Sequence, residues 1–319
     1  MTRATRPHDL ITIGRVSIDL YPEQSGTPLR DVRSFRKMLG GSPTNVAVAA
    51  ARLGLRTAVV TKVGDDGFGQ AVRAAAERFG VDPSFIGTHP TLRTPLAFCE
   101  IHPPDHFPLL FYRAPTAPDL TLEVDELPAA ALTAARAVWV TGTGLSREPS
   151  LSTTLAALRL RPPGALTVLD LDHRPELWDD VADAGPRARD ALAHCTVAVG
   201  NQAEVATVVA DADPESAARA LLDLGVQLAV VKMGPEGVLA ATADEVVHVP
   251  PQPVEVVNGL GAGDAFGGAL VQGLLAGLPL RRTVERANAA GALVAGRLGC
   301  ADDMPEAEEI DRMVGKERA

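Results

Sequence analysis

Val256-Val257-Asn258-Gly259-Leu260-Gly261-Ala262-Gly263-Asp264-Ala265-Phe266-Gly267-Gly268-Ala269-Leu270 runs from a short apolar entry, through a glycine-rich turn, into an Ala/Leu-rich helix predicted over 262–275. Gly261 and Gly263 let the backbone turn sharply and approach a ligand closely. The turn leaves free N–H groups at a helix N-terminus, whose partial positive charge suits a phosphoryl group gaining charge in transit. Asp264 falls in the first helical turn. A carboxylate there can accept the proton of a substrate hydroxyl, or it can cap the helix and do nothing else. The stretch alone leaves both readings open. It is not a dinucleotide fingerprint: counted from Gly259, the sixth position holds Asp264 rather than glycine, and the turn falls near the end of the chain rather than in a first βα unit. No G-x-x-x-x-G-K-[ST] sequence occurs elsewhere, so the chain is not a P-loop protein.

Upstream, short apolar runs at 9–14, 57–63, 137–141, 166–170, 196–199 and 228–231 alternate with helical patterns at 43–53, 68–79, 149–158, 202–210 and 214–224. Further helices are expected at 281–297 and 305–314. Apolar strands joined by helices imply right-handed βαβ units and a mainly parallel sheet buried on both faces. The expected class is α/β, one domain over 1–319. Two regions, 15–38 and 95–113, break the alternation. The first is polar, with Pro22, Gly26 and Pro28; the second reads as a hairpin around His102-Pro103-Pro104-Asp105-His106. Together they are expected to form a small β-sheet lid that excludes water from the chemistry. Its open edges would accept a second copy, so a homodimer is expected.

The formal net charge is -10. A chain this acidic lacks the basic face of a phosphate-backbone binder, so no nucleic-acid partner is expected. An anionic ligand must then be held by a few local cations, and only four of the 30 basic residues are Lys. Cys99, Cys195 and Cys300 show no CxxC spacing, which fits a reducing compartment. Residues 1–8 carry two arginines with no apolar run behind them, and no apolar run reaches the roughly 18 residues of a membrane span. A cytoplasmic protein without membrane contact is expected. His102, His106 and His173 lack zinc-site spacing, though His106 falls on the expected lid. Glu123-Val124-Asp125-Glu126 reads as a solvated helix start, and Trp139 and Trp178 as packing residues.

A second glycine motif, Gly40-Gly41-Ser42-Pro43-Thr44-Asn45, opens the helix at 43–53. Pro43 suits a helix start, and Asn45 offers a mixed donor and acceptor from the first turn. Gly64-Asp65-Asp66-Gly67, Asn201-Gln202-Ala203-Glu204 and Lys232-Met233-Gly234-Pro235-Glu236-Gly237 each follow a strand. In this order the motifs resemble the ribokinase/PfkB family of carbohydrate kinases, over about 9–297. The resemblance implies a ribokinase-like fold, ATP and Mg²⁺. It makes Asp264 the catalytic base and Gly261, Ala262 and Gly263 the hole for the transferring phosphoryl group. Asn201 and Glu204 would order Mg²⁺ indirectly; Lys232, Gly234 and Gly237 would lie along the nucleotide, and Asn288 near the adenine. Asp19, Gly40, Gly41 and Asn45 would hold the sugar, with Phe111 beside it. Family members often carry Asp-Thr where this chain has Asn258-Gly259, a pair that shapes a monovalent-cation site; K⁺ activation is therefore not claimed.

Arg113 ends the hairpin, and Arg174 follows a strand in Asp170-Leu171-Asp172-His173-Arg174-Pro175-Glu176-Leu177-Trp178. Arginine forks match carboxylates, so the two suggest a sugar acid. The same stretch is similar to that of family members acting on deoxy-keto-sugar acids, in which equivalents of Arg113 and Arg174 bind the carboxylate. Ile13-Gly14-Arg15-Val16-Ser17-Ile18-Asp19-Leu20-Tyr21-Pro22 and Asp105-His106-Phe107-Pro108 lean the resemblance toward 5-dehydro-2-deoxygluconate. The arginines do not separate that acid from 2-keto-3-deoxygluconate, and a neutral sugar such as fructose remains an alternative. A non-catalytic sugar-acid sensor on the same fold is the rival from another class.

Overall fold

The computed structural model describes residues 7–316. Residues 1–6, which hold both N-terminal arginines, lie outside it. The main sheet has ten strands. In spatial order they are β14 (Val246–Val249), β13 (Val238–Ala241), β12 (Leu228–Lys232), β11 (Val197–Asn201), β10 (Leu166–Asp170), β9 (Ala137–Thr141), β1 (Leu10–Ile13), β4 (Thr57–Gly64) and β5 (Val81–Asp82), with β6 (Ile86–His89) also on β4. All pairs from β12 to β5 and β6 are parallel, while β13 and β14 close one edge as an antiparallel hairpin. The four residues of each hairpin strand are too short a run to stand out in the sequence.

Alternation along the parallel strands builds two cores, one on each face. Leu10, Val59, Ala137, Trp139, Val168 and Val230 face one; Ile11, Val60, Val138, Val140, Leu169 and Val231 face the other. On the first face, helix Ser42–Arg52 packs against helix Ala262–Leu275. The close approach depends on two glycines. A Cβ on Gly267 would sit 2.6 Å from the Trp139 ring, and one on Gly268 would sit 2.5 Å from Ala49 Cβ and 2.8 Å from the Ala50 backbone nitrogen. The helix Ala184–Leu192 was not read from sequence, because Gly185-Pro186 punctuates its first turn.

A separate four-stranded sheet, β3 (Phe35–Gly40), β2 (Ser17–Pro22), β7 (Leu96–Cys99) and β8 (Leu109–Tyr112), is built from the two irregular regions. Asp66 ties it to the main body. This residue caps helix Gly67–Arg78 through the N–H groups of Phe68 and Gly69, and also accepts from the N–H and hydroxyl of Thr94, just ahead of β7. Tyr21, Met38, Cys99, Ile101 and Cys300 form a third, small core beneath this sheet. Among the described residues no helix is long and apolar enough to cross a membrane.

Candidate active site

Because β1, β9, β10, β11 and β12 run parallel, their C-terminal ends gather at one edge of the sheet, where ligands of open α/β sheets collect. Each end supplies polar residues. Arg15 follows β1, Thr141 ends β9, Asp172 and Arg174 follow β10, Asn201 ends β11 and Lys232 ends β12. The first turns of helices Ser42–Arg52 and Ala262–Leu275 meet them there.

Asp264 is held from both sides. Ser42 Oγ donates to its Oδ1 at 2.7 Å and Asn45 Nδ2 donates to its Oδ2 at 2.8 Å. Burial raises its pKa above the usual carboxylate value; the Asn45 and Ser42 hydrogen bonds oppose that, the charge of Asp172 adds to it, and Arg15 counters it. A carboxylate fixed in orientation and raised in basicity is what proton abstraction from a hydroxyl asks for. Asn45 Oδ1 is buried with no partner, leaving an acceptor for a hydroxyl beside that base.

On one side of Asp264 lies the glycine-built start of its own helix. Gly261 starts the helix at φ 80°, leaving the first N–H groups open. Lys232 Nζ lies 3.3 Å from where a Gly263 Cβ would be, so the lysine reaches over the helix start and a side chain at 263 would push it aside by a few tenths of an ångström. Burial opposes the Lys232 charge, but Asp170, Glu204, Asp264 and Asp172 outweigh it and raise its pKa. Lys232 Nζ is 3.8 Å from Asp170 Oδ1, an oxygen with no hydrogen-bond partner. Burial pushes Asp170 up, Lys232 partly restoring it, to about 7. Asn201 and Glu204 form a reciprocal capping box: the Asn201 N–H donates to Glu204 Oε2 at 2.8 Å, and the Glu204 N–H to Asn201 Oδ1 at 2.9 Å. Glu204 is thereby locked and buried at this edge. Among the described residues no three His, Cys, Asp or Glu side chains form a metal cage. The orphaned Asp170 oxygen and the fixed Glu204 fit Mg²⁺, which usually keeps its waters and binds through one or two carboxylates plus substrate phosphates.

On the other side lies a polar pocket under the small sheet. Asp19 accepts from Ser17 Oγ at 2.6 Å, and its carboxyl occupies the place a Gly40 side chain would fill, 2.1 Å from that Cβ position. Burial raises its pKa to about 6. Gly41, at φ 96°, lets the backbone pass the Arg15 carbonyl, which a Cβ would meet at 2.5 Å. Arg113 Nη2 donates to Asp119 Oδ1 at 2.5 Å, and the other Asp119 oxygen accepts from the Val16 N–H. Phe111 lies on β8 opposite Ala97. Arg174 and Arg15 share one carboxylate: Arg174 Nη2 is 3.2 Å from Asp172 Oδ1, and Arg15 Nη2 donates to Asp172 Oδ2 at 2.9 Å. Burial would raise the Asp172 pKa, but Arg15 and Arg174 lower it overall. Asp172 holds this place at φ 28°, a left-handed conformation that aspartate tolerates better than most residues.

Gly234 and Gly237 shape the turn after β12, the latter at φ 92° against the Val249 carbonyl. Asn288 donates to the Pro250 carbonyl at 2.7 Å. Asn258 is buried, its Nδ2 donating to the Leu298 carbonyl at 2.7 Å and its Oδ1 accepting from the Leu260 N–H at 3.0 Å. An amide that presents N–H groups and spends its own oxygen does not fit a cation ligand. The sequence reading singled out neither Ser42 nor Arg15. Arg15 was findable, since it follows the central strand as Arg174 follows β10; Ser42 was hidden in a helix start. Glu123–Glu126 is the exposed helix start that was expected; Glu126 in addition pairs with the buried Lys62 at 2.6 Å.

A family model for pfkB carbohydrate kinases matches residues 7–307. The chain is 32% identical to a 5-dehydro-2-deoxygluconokinase of Clostridium perfringens, over 98% of this chain and 94% of that one. It superimposes on a putative ribokinase II of E. coli in complex with ATP and Mg²⁺ with TM-score 0.88 and 25% identity, covering 97% and 99% of the two chains. A fructokinase of Xylella fastidiosa with bound ATP gives TM-score 0.86 at 26% identity, covering 98% and 100%.

Proposed function

As the chain belongs to the pfkB family of carbohydrate kinases, we propose that it transfers the γ-phosphoryl group of ATP to the terminal C6 hydroxyl of 5-dehydro-2-deoxygluconate, a step of myo-inositol catabolism in the cytoplasm. One observation carries the reading: Asp264 is clamped by Ser42 and Asn45 at a glycine-built helix start that Lys232 overhangs. A base, an anion hole and a cation then converge on one point. The name borne by the Clostridium perfringens relative and three arginines in an acidic chain support a sugar acid as acceptor.

Asp264 takes the proton from the acceptor hydroxyl as it attacks phosphorus in line. The N–H groups at Gly261, Ala262 and Gly263 receive charge that develops on the phosphoryl oxygens, and Lys232 neutralises more of it. Mg²⁺, when bound, neutralises phosphate charge; Glu204 and Asn201 would order it through water, with Asp170 close by. Gly234 and Gly237 line the nucleotide, and Asn288 borders the adenine. Asp19, Gly40, Gly41 and Asn45 position sugar hydroxyls, Phe111 packs beside them, and Arg113 and Arg174 attract the carboxylate. The small sheet acts as a lid. Its outer face stacks Phe35, Phe98 and Tyr112 edge to face, with Leu110 and Tyr112 exposed. Such a face supports a homodimer, which sedimentation would reveal.

The test is an ADP-release assay comparing 5-dehydro-2-deoxygluconate, 2-keto-3-deoxygluconate, fructose and ribose. The highest kcat/KM is expected for the first. Preference for the second or for fructose would reassign the acceptor, and binding of an acid without ATP turnover would make the protein a sensor.

A further inference from the structure

Arg15 has no role in the reaction as set out above, yet it occupies the middle of the site. It follows the central strand β1, and its side chain is 11% exposed. Its Nη2 serves both oxygens of Asp172, at 2.9 and 3.3 Å, while its Nε is buried with no partner. Arg113 repeats the pattern: its side chain is 9% exposed, Nη2 is on Asp119, and its Nε is buried and unpaired. The two arginines line one small cavity, together with Asp119, Thr143, Ser146 and Leu177. Arg174 is not among its walls; its side chain is 41% exposed, and it reaches from Asp172 toward Glu204 at 4.0 Å.

A guanidinium has five N–H donors and no acceptor. Leaving a buried donor unmet costs about 1–3 kcal/mol. Both arginines that carry these donors line the same cavity, and a carboxylate is the acceptor that matches guanidinium donors best. The Arg15 carbonyl accepts from Thr44 Oγ1 at 3.3 Å, in the helix turn that also carries Ser42 and Asn45, so the cavity adjoins the proposed transfer site.

We propose that Arg15 is a specificity-determining residue that, together with Arg113, takes the carboxylate of the acceptor, with Asp172 holding its guanidinium ready in between. The proposal rests on the sugar-acid reading above. A neutral sugar would leave both Nε–H groups unmet, and sites built around buried hydrogen-bonding groups reject ligands that lack the matching group.

The experiment compares Arg15→Gln and Arg15→Lys with the parent protein on two acceptors: 5-dehydro-2-deoxygluconate and the same chain with CH₂OH in place of the carboxylate. It reads KM and kcat for each, KM for ATP, and calorimetric binding of the acid without nucleotide. Arg15→Gln is expected to raise KM for the acid roughly 10- to 100-fold, with kcat on the pH plateau above its acidic limb, KM for ATP and KM for the alcohol nearly unchanged. Arg15→Lys is expected to recover only part, because an ammonium cannot form the fork; it also supplies the reading should Arg15→Gln fail to fold. Equal losses on acid and alcohol would reduce Arg15 to a prop for Asp172 and overturn the proposal, as would an unchanged KM for the acid. If the parent binds the acid, Arg15→Gln does not, and neither acceptor is phosphorylated, the carboxylate site stands and the kinase assignment falls. If the parent does not bind the acid, the proposal falls whatever other sugar it phosphorylates.

Discussion

Ser42 donates its hydroxyl to Asp264 across 222 residues of sequence, at 2.7 Å. The bond fixes one carboxylate oxygen and favours its ionised form. Removing it therefore raises the Asp264 pKa further, since burial already pushes it up and the Ser42 bond opposes that push. A base works only when deprotonated, so the acidic limb of the kcat–pH profile of Ser42→Ala should move to higher pH. Asp264→Asn should lose about 100- to 10,000-fold in kcat with its circular dichroism unchanged. Near-normal turnover by a folded Asp264→Asn protein would remove Asp264 from the chemistry.

Asp19 carries a stability cost tied to its proposed place in the sugar site. Its pKa rises from the usual 3.8 to about 6 because burial disfavours its charge. The fold's preference for the protonated acid is fully present below pH 3.8 and is lost as pH rises through about 6. Above that, the ionised group weighs against the native state. Asp19→Asn should raise Tm at pH 8 and not at pH 4, while raising KM for the acceptor. A Tm gain equal at both pH values would show that its charge is not the cause.

Asn258 satisfies the Leu298 carbonyl with its own amide. Activity is therefore expected to be the same in potassium, sodium and Tris salts at equal ionic strength. Asn258→Asp would set a buried carboxylate against a carbonyl oxygen and should lower Tm. Strong potassium stimulation of the parent protein would refute this account.

Gly268→Val should be among the most damaging changes far from any ligand. Its Cβ would meet the Ala49 side chain and the Ala50 backbone, which have no room to yield. Overpacking of this kind costs about 1–3 kcal/mol. Because the same contact sets the distance between Asn45 and Asp264, kcat should fall along with Tm. A lower Tm with full kcat would show that the site tolerates a shift between the two helices.

Six of the parallel strands were legible because each is a short apolar run, and their ends match the sequence reading to within a residue or two, as at Leu166–Asp170; β5 and β6, two and four residues long, were not read. The motifs at Gly40 and Gly261 were legible because glycine there answers a steric demand. The pairing of charges was not. Nothing in the sequence says that Asp172 would bridge Arg15 and Arg174, because Arg15 meets Asp172 only through the order of β1, β9 and β10 in the sheet; nor does it say that Asp119, six residues on, would turn back to hold Arg113. The N-x-x-E stretch shows the converse: its spacing was read as metal chemistry, and the structure also makes it a helix cap.

The packing of helix Ser42–Arg52 on helix Ala262–Leu275 has a consequence for synthesis on the ribosome. The first helix and the central strand emerge early, but the surface that covers them is made only after residue 262. For most of translation an Ala- and Val-rich face waits bare, a state prone to aggregation that chaperones exist to shield. Asp264, the proposed base, lies in that same late helix, so the proposed site is completed only with the cover.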